Sequence, residues 1–263
     1  MDFGMPFLLE NETLDDCCAL AKELGLSFVE LNANFPQCQT ERLSADELRA
    51  LSERYDIYFT FHVEEECDPF TFNRQAREAW LGTFRQTLLL ARDMNAPVVN
   101  MHFPHGVYIT LPEKRTYLYS KYEAEFLTAL RDFRQLCESL LAGSGTRVMI
   151  ENTNGWLPHE CRAIEMLLES PVFGLTMDIG HSHGVDDVDE DFFLAHEDRL
   201  GHMHGHDARG RSNHLALGDG EIRLAKRFAL AGKHHARIVL ETKTIAALRT
   251  SIARLPEFLS EKR

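Results

Sequence analysis

Residues 148–151, Val-Met-Ile-Glu, form a short apolar run that ends in a residue well suited to bind a metal ion. Five more short apolar runs end in the same way, and their last residues are His62, His102, Asp178, His204 and Glu241. In a barrel of parallel strands all strand ends open onto one face, so residues far apart in sequence meet in one pocket. The six runs therefore predict a metal site at the mouth of such a barrel.

Strand and helix patterns alternate along the rest of the chain about eight times. Strands are predicted near residues 3–8, 27–32, 57–62, 97–102, 147–151, 173–178, 200–204 and 237–241. Apolar residues recur at helical spacing between them, for example in 14–24, 77–94, 122–141 and 224–231. Strands separated by helices pair in parallel through right-handed crossovers. We therefore predict an α/β fold, a (βα)8 TIM barrel, with residues 1–263 as one domain.

Composition narrows the classes of partner. The chain carries 41 Asp and Glu against 28 Lys and Arg, so its formal charge of −13 repels nucleic acid and anionic membranes. Its six cysteines form no CxxC pair, which is typical of reduced thiols in a cytosol. There is no 18-residue apolar stretch, no signal-peptide pattern, and no GxGxxG or GxxxxGK[ST] motif. We expect a cytoplasmic protein without a nucleic-acid, membrane or dinucleotide partner.

The predicted ligands favour a catalytic site. Mixed imidazole and carboxylate donors suit Zn²⁺, Mn²⁺, Co²⁺ or Fe²⁺ better than Ca²⁺. None of the six predicted ligands is a cysteine, which excludes a structural zinc held by thiolates at this site. Six donors exceed what one tetrahedral ion needs. Either two or more ions, or one ion together with acid–base residues, would use them.

Strand alternation places further polar residues one step beneath these donors. Thr60 lies below His62, Asn100 below His102, and Thr176 below Asp178. Because barrel interiors are usually filled by branched apolar residues, we expect these three to hydrogen-bond the metal ligands. The alternative is that they pair only with one another or with water.

Several motifs resemble those of a known superfamily. They are Glu151-Asn152-Thr153, Asp178-Ile179-Gly180-His181, the run from His202 to Asp207, His214, and Leu217-Gly218-Asp219-Gly220. This set is similar to the signatures of the xylose-isomerase-like barrels. That superfamily includes sugar phosphate isomerases and epimerases, and also apurinic endonucleases of the endonuclease IV type (AP endonuclease family 2). The resemblance extends from Val29-Glu30-Leu31 to Leu240-Glu241-Thr242.

The resemblance implies a ligand set. Epimerase-like members place one divalent ion on Glu151, Asp178, His204 and Glu241. Endonuclease-like members add His62 and His102, with Glu151 shared, for another ion, and use His181, His214 and an aspartate for a third. Here Ser212 stands where that aspartate is expected, and a hydroxyl is a much weaker ligand for a divalent ion. We therefore expect His181 and His214 to contact substrate, and one or two ions of Zn, Mn, Co, Fe or Mg per chain.

The resemblance also implies an activity, a metal-dependent isomerase or epimerase acting on a sugar or sugar phosphate. Glu151 and Glu241 would remove and return a carbon-bound proton through an enediolate. Three alternatives stay open. The first is a metal-dependent phosphodiesterase that cuts abasic DNA, the second a dehydratase or lyase of the same barrel type, and the third a metal-binding protein that has lost catalysis.

Residues in the predicted loops complete the hypothesis. Trp156 is predicted to cover the apolar face of a sugar, and Arg209 or Arg211 to bind a phosphate or carboxylate. Asp207 is predicted to hold a ligating histidine. The three carboxylates of residues 64–66 would repel phosphate near the entrance, and residues 103–112 are predicted to form a lid or a subunit contact. A homodimer is the common default for such a barrel.

Overall fold

A computed structural model describes residues 1–260. Its strands in chain order are β1 (Phe3–Pro6), β2 (Phe28–Asn32), β3 (Tyr58–His62), β4 (Val98–His102), β5 (Tyr108–Thr110), β6 (Arg115–Tyr117), β7 (Arg147–Glu151), β8 (Phe173–Asp178), β9 (Leu200–Gly205), β10 (Asp207–Arg209), β11 (Ser212–Leu215) and β12 (Arg237–Leu240). The α-helices are α1 (Leu14–Glu23), α2 (Ala45–Tyr55), α3 (Arg74–Asp93), α4 (Leu118–Lys121), α5 (Glu123–Leu141), α6 (Pro158–Leu168), α7 (Ile179–Gly184), α8 (Glu190–Ala195), α9 (Leu224–Lys233) and α10 (Ile245–Ser260).

Eight of the strands pair in parallel and close into a barrel in the order β1, β12, β9, β8, β7, β4, β3, β2. This confirms the predicted TIM barrel. The six strands with candidate ligands at their carboxyl ends, β3, β4, β7, β8, β9 and β12, are consecutive around the wall. The register makes His102 the neighbour of Glu151 and Asp178 the neighbour of His204.

The barrel strands are apolar because both of their faces are covered. Residues of β8 are buried at every position, and β9 is buried except at Gly201. Helices pack outside them through amphipathic faces; in α5, for example, Phe126, Leu130 and Phe133 are buried. Side-chain caps begin several helices, as in the reciprocal hydrogen bonds between Thr13 and Asp16 at the start of α1. These local signals explain why the helix predictions agree with the structure to within a few residues.

Two antiparallel hairpins interrupt the alternation on the ligand side of the barrel. Strands β5 and β6 form one, which starts within the segment predicted as a lid or a subunit contact. Strands β10 and β11 form the other. Neither was predicted, since three- and four-residue strands are too short for a periodic pattern to show. Within residues 1–260, no helix combines the length and the apolar character needed to cross a lipid bilayer.

Candidate metal centre

Four side chains from adjacent strands meet at the barrel mouth. Glu151 ends β7, Asp178 ends β8, His204 lies near the end of β9 and Glu241 directly follows β12. His204 Nδ1 lies 3.1 Å from Glu151 Oε1, 3.1 Å from Glu241 Oε2 and 3.8 Å from Asp178 Oδ2. Glu151, Asp178 and His204 are at most 1% exposed. Three carboxylates thus surround one imidazole nitrogen, with the four predicted ligands brought together.

A buried carboxylate that the sequence analysis did not single out holds this imidazole from behind. Glu30, on β2, is 2% exposed, and its Oε1 lies 2.9 Å from His204 Nε2. Its Oε2 accepts hydrogen bonds from His202 Nε2 at 2.9 Å and from Thr60 Oγ1 at 3.1 Å. Burial lowers the pKa of His204, but nearby carboxylates outweigh burial and raise the pKa, so its Nδ1 carries a proton in the metal-free protein. With Glu30 beside Nε2, loss of that proton to an ion would leave the Nδ1 lone pair facing the other three carboxylates. His202 is fully buried and serves as an interior hydrogen-bonding residue.

Polar residues beneath the cluster orient Glu151. Asn100 Nδ2 donates to Glu151 Oε2, and Thr176 Oγ1 donates to Asn100 Oδ1 at 2.6 Å. Thr60 differs from the expectation, because its hydroxyl binds Glu30 and not His62 above it. The three polar residues therefore belong to two hydrogen-bond chains, one ending at Glu151 and the other at Glu30.

His62 and His102 form a second cluster that shares Glu151. His62 Nε2 lies 3.2 Å from Glu151 Oε2, and His102 Nε2 lies 3.5 Å from Glu151 Oε1. The ligand atoms of the three residues all lie within 4.8 Å of one another. His62 Nδ1 donates to the Val63 carbonyl at 2.6 Å, so the proton that an ion would displace is the one on Nε2, which faces Glu151. This geometry can hold a second ion beside the first.

His206 is a further residue at the centre, and the sequence analysis assigned no role to it. It is fully buried, and its Nε2 lies 3.0 Å from Asp178 Oδ1. The backbone N–H of His214 donates to His206 Nδ1 at 2.8 Å. Since Nδ1 accepts, Nε2 must carry the proton and donate it to Asp178. His206 therefore orients Asp178, and in this tautomer it has no lone pair for a metal ion.

Two backbone features make room for that contact. A Cβ atom on Gly180 would lie 2.0 Å from His206 Cε1, so the glycine leaves space for the imidazole. His214 has a φ of 57°, an uncommon conformation for a residue other than glycine, and its ring stacks on His206 at 4.3 Å. Strain of this kind persists only where the surroundings enforce it. The β10–β11 hairpin and the start of α7 are thus both shaped around His206.

The two histidines predicted to contact substrate lie beside one another at this centre, with ring centroids 6.0 Å apart. His181 Nδ1 lies 3.0 Å from the Asn152 carbonyl, and the ring borders the open cavity. His214 Nε2 lies 3.3 Å from Glu241 Oε1. Ser212 is exposed. Asp178, His206, His214 and Glu241 form a group whose ligand atoms lie within 4.8 Å of one another, but the tautomer of His206 argues against its use as a ligand.

Three other predicted residues lie away from the cavity. Trp156 is 8% exposed and packs on Phe192 and Phe193, so its ring is not presented to a sugar. Arg209 donates to the Asp219 carbonyl and borders neither part of the cavity. No histidine among residues 1–260 contacts the Asp207 carboxylate, which accepts four backbone N–H groups, those of Ala208, Gly218, Gly220 and Ile222. Their positions depend on loop conformation, which spacing along a strand does not set.

An open cavity lies above the cluster and has two lobes. The lobe that we call basic has a volume of about 600 Å³ and is bordered by Arg115 and Arg211. The lobe that we call acidic has a volume of about 620 Å³ and is bordered by Glu65, Glu66 and Asp68. His105, Gly106, Thr153, Asn154, His181 and Asn213 border both. Either lobe is within the usual size of small-molecule sites.

The charges at the centre fit a divalent cation. Burial raises the pKa of Glu151, but His204 and His102 outweigh burial and hold the pKa well below its usual range. Burial likewise raises the pKa of Glu241, and His204 again outweighs it. At Asp178 too burial raises the pKa, but His206 and His181 outweigh it and lower the pKa. All three carboxylates are therefore charged at neutral pH, and buried like charges require nearby positive charge. Oxygen and nitrogen donors in this number suit zinc, manganese, cobalt or iron.

Comparison with known families agrees with this arrangement. A family model described as xylose isomerase-like TIM barrel matches residues 18–261. The chain belongs to the xylose isomerase-like TIM barrel family. Members of this family share the TIM barrel. In this chain, the carboxyl-terminal face of the barrel carries the cluster described above. No curated protein matches the sequence.

Solved structures similar to this family member include sugar epimerases. A D-tagatose 3-epimerase-like protein is 21% identical, with a TM-score of 0.78 and coverage of 98% of this chain and 97% of that one. The 3-keto-D-glucoside 4-epimerase of E. coli, in its apo form, is 15% identical, with a TM-score of 0.75 and 98% coverage of both chains. The IOLI protein with a bound zinc atom is 12% identical, with a TM-score of 0.74 and 99% coverage of both. At these identities the likeness establishes the fold.

Proposed function

We propose that the protein is a divalent-metal-dependent isomerase or epimerase that acts on a carbohydrate by moving a carbon-bound proton. The observation that carries this proposal is the placement of Glu151 and Glu241, which both approach His204 Nδ1 to 3.1 Å from different strands. Two carboxylates beside one metal position can remove a proton and return it. The sugar epimerases among the similar folds support the same class of substrate.

Glu151, Asp178, His204 and Glu241 would hold the ion. When bound, a divalent cation polarises a carbonyl and an adjacent hydroxyl and so makes the carbon-bound proton more acidic. Glu151 is fixed for its task, since Asn100, His62 and His204 each contact one of its oxygens. Its side chain is only 1% exposed, which excludes bulk water from the carboxylate.

Glu241 is placed differently and can exchange protons with the cavity. Its side chain is 16% exposed, and Oε1 lies 2.9 Å from Lys243 Nζ, on a side chain that is itself 60% exposed. His214 Nε2 lies 3.3 Å from the same oxygen. We expect Glu151 to act from the buried side of the substrate and Glu241 from the more accessible side.

Phosphodiester hydrolysis on abasic DNA is the second candidate. The His62, His102 and Glu151 cluster favours it, because a second ion beside the first is the arrangement used to cleave phosphate esters. The acidic lobe and the chain's net charge of −13 oppose the approach of DNA. A dehydratase or lyase would use the same proton abstraction, and product analysis separates it from an isomerase.

Deuterium incorporation from D₂O tests the proposal directly. Metal-loaded protein is incubated with a panel of ketoses and ketose phosphates, and carbon-bound deuterium is measured by NMR. We expect incorporation by the wild type and a loss of about 10²- to 10⁴-fold in Glu151→Gln and Glu241→Gln, as is typical when an acid–base residue is removed. Glu41→Gln is the matched control. It removes the same charge at an exposed residue that does not belong to the cluster, and it should keep full activity.

The outcomes separate the candidates. Loss of deuterium incorporation in the Gln variants, with bound metal and melting temperature retained, supports proton transfer by these carboxylates. Metal-dependent cutting of an abasic-site duplex without incorporation into any sugar would instead establish the phosphodiesterase. Wild-type activity in both Gln variants would refute the assigned roles.

A further inference from the structure

The two lobes of the cavity differ in charge. No Asp or Glu borders the basic lobe, although 41 of the chain's 263 residues are acidic, whereas Arg115 and Arg211 both do. The acidic lobe has the opposite character, with three carboxylates and no Lys or Arg on its border. A substrate that extends from the candidate metal centre into the basic lobe meets positive charge alone.

The two arginines lack an internal counter-charge. Among residues 1–260, neither Arg115 nor Arg211 lies within 4.0 Å of a carboxylate oxygen, whereas Arg249 and Arg254 each pair with one. The Arg115 guanidinium lies 4.9 Å from the centre of the Tyr108 ring, which leaves its N–H groups unused. A guanidinium presents a planar set of donors that matches phosphate and carboxylate oxygens.

The hairpins hold these groups over the cavity. In the β5–β6 hairpin, Tyr108 is the neighbour of Tyr117, and Thr110 is the neighbour of Arg115. Strand alternation puts Tyr108, Arg115 and Tyr117 on one face of the hairpin, and all three border the basic lobe. Arg211 lies in the turn between β10 and β11 and also borders the lobe.

The basic lobe is continuous with the metal centre through His181. This residue borders both lobes, and its Nδ1 lies 3.6 Å from Asp178 Oδ2 and 3.7 Å from Glu151 Oε1. A sugar with one end at the carboxylates can therefore extend along His181 into the lobe. The far end of that sugar would meet Arg115 and Arg211.

We propose that the basic lobe is an oxyanion subsite and that the physiological substrate is a carbohydrate with a phosphate or carboxylate group remote from the reacting carbon. This inference deepens the proposed function and rests on it. It sets the protein apart from an enzyme for neutral sugars, because a neutral hydroxyl would leave two guanidinium groups at the subsite without a counter-charge.

Sugars that differ only at C6 provide the test. D-fructose, D-fructose 6-phosphate and D-fructuronate are compared by deuterium incorporation with metal-loaded wild type, Arg115→Gln/Arg211→Gln and Arg42→Gln/Arg131→Gln. The last variant removes the same charge at two exposed arginines outside the cavity. The phosphate and the carboxylate arms show which oxyanion is preferred. D-ribulose and D-ribulose 5-phosphate repeat the comparison on a shorter sugar.

We expect kcat/KM for an anionic sugar to exceed that of its neutral counterpart, and the cavity double variant to lose about tenfold or more per arginine on the anionic sugar alone. Equal or better turnover of the neutral sugars by the wild type would overturn the inference. So would an advantage that survives in the cavity double variant.

Binding of inorganic phosphate separates this inference from the proposed function. If no sugar incorporates deuterium, the proposed function fails, and calorimetric titration with phosphate still decides the subsite. Weaker phosphate binding in Arg115→Gln/Arg211→Gln but not in Arg42→Gln/Arg131→Gln supports an oxyanion subsite. Unchanged binding in both double variants refutes it.

Discussion

The contact between His206 and Asp178 predicts a specific effect on metal affinity. His206→Asn keeps an acceptor for the His214 N–H, because the Asn oxygen lies near the position of Nδ1, but it loses the donor to Asp178. His206→Gln does the reverse, since the Gln amide nitrogen lies near the position of Nε2. Asn is one methylene shorter than Gln and leaves more empty volume at this buried site. A difference in zinc affinity reports the donor to Asp178 once it is compared with the stability of the metal-free variants.

The magnitude follows from the geometry. His206 Nε2 lies 3.0 Å and 3.2 Å from the two oxygens of Asp178, and both side chains are fully buried. A hydrogen bond to a charged group contributes about 1.5–3 kcal/mol, which corresponds to a change of about 10- to 150-fold in an equilibrium constant. The His181 N–H donates to Asp178 Oδ1 at 2.7 Å and would remain. We expect zinc affinity to fall by that factor in His206→Asn and by much less in His206→Gln.

Competition with a chromophoric chelator measures the zinc affinity, and thermal melting of the metal-free proteins measures folding separately. Equal zinc affinities in the two variants would refute the role given to Nε2. A lower affinity in the Gln variant than in the Asn variant would point to the contact with His214 as the important one.

Two further predictions concern the same centre. Gly180→Ala places a Cβ 2.0 Å from His206 Cε1, so we expect a loss of about 1–3 kcal/mol in the free energy of unfolding and weaker zinc binding. Gly82→Ala is the control, because nothing lies within 4 Å of the added carbon. Equal effects of the two substitutions in chemical denaturation would contradict the packing argument. For His62, burial lowers the pKa, but Glu151 outweighs burial and raises it to about 9. Protonated His62 therefore stabilises the metal-free fold; this stabilisation is complete below the unfolded pKa of 6.5 and is lost as pH rises through about 9. A second ion at His62 must displace this proton at neutral pH. It should therefore bind more tightly as pH increases to about 9. Calorimetry in two buffers of different ionisation enthalpy should show fewer released protons in His62→Gln, and an unchanged proton count would place the second ion elsewhere.

The parts of the site that follow a regular period were predictable from sequence. A residue that ends a buried strand has its direction and level set by the barrel, so Glu151, Asp178 and His204 are found together as expected. Glu30 was missed although it interrupts the apolar run Phe28-Val29-Glu30-Leu31. Its partner His202 is 172 residues away, and only the closed barrel brings the two together.

Loop residues could not be placed in the same way. The direction of Trp156 is set by packing on Phe192 and Phe193, two residues on α8, and that of Arg209 by a hairpin turn. The strand pattern indicates where Asp207 lies in the fold but not what its side chain contacts. Four backbone N–H groups that donate to its carboxylate determine those contacts. The Arg115 position was not singled out at all, because the short β5–β6 hairpin leaves no periodic signal.

The order of the strands has a consequence for how the protein matures. The four main donors all come from β7, β8, β9 and β12, in the second half of the chain, while His62 and His102 come from the first half. Glu241 follows the last strand and is synthesised only when most of the polypeptide already exists. An ion that, as we propose, binds all four groups could not be held by a nascent half-barrel, so metal binding would follow closure of the barrel wall.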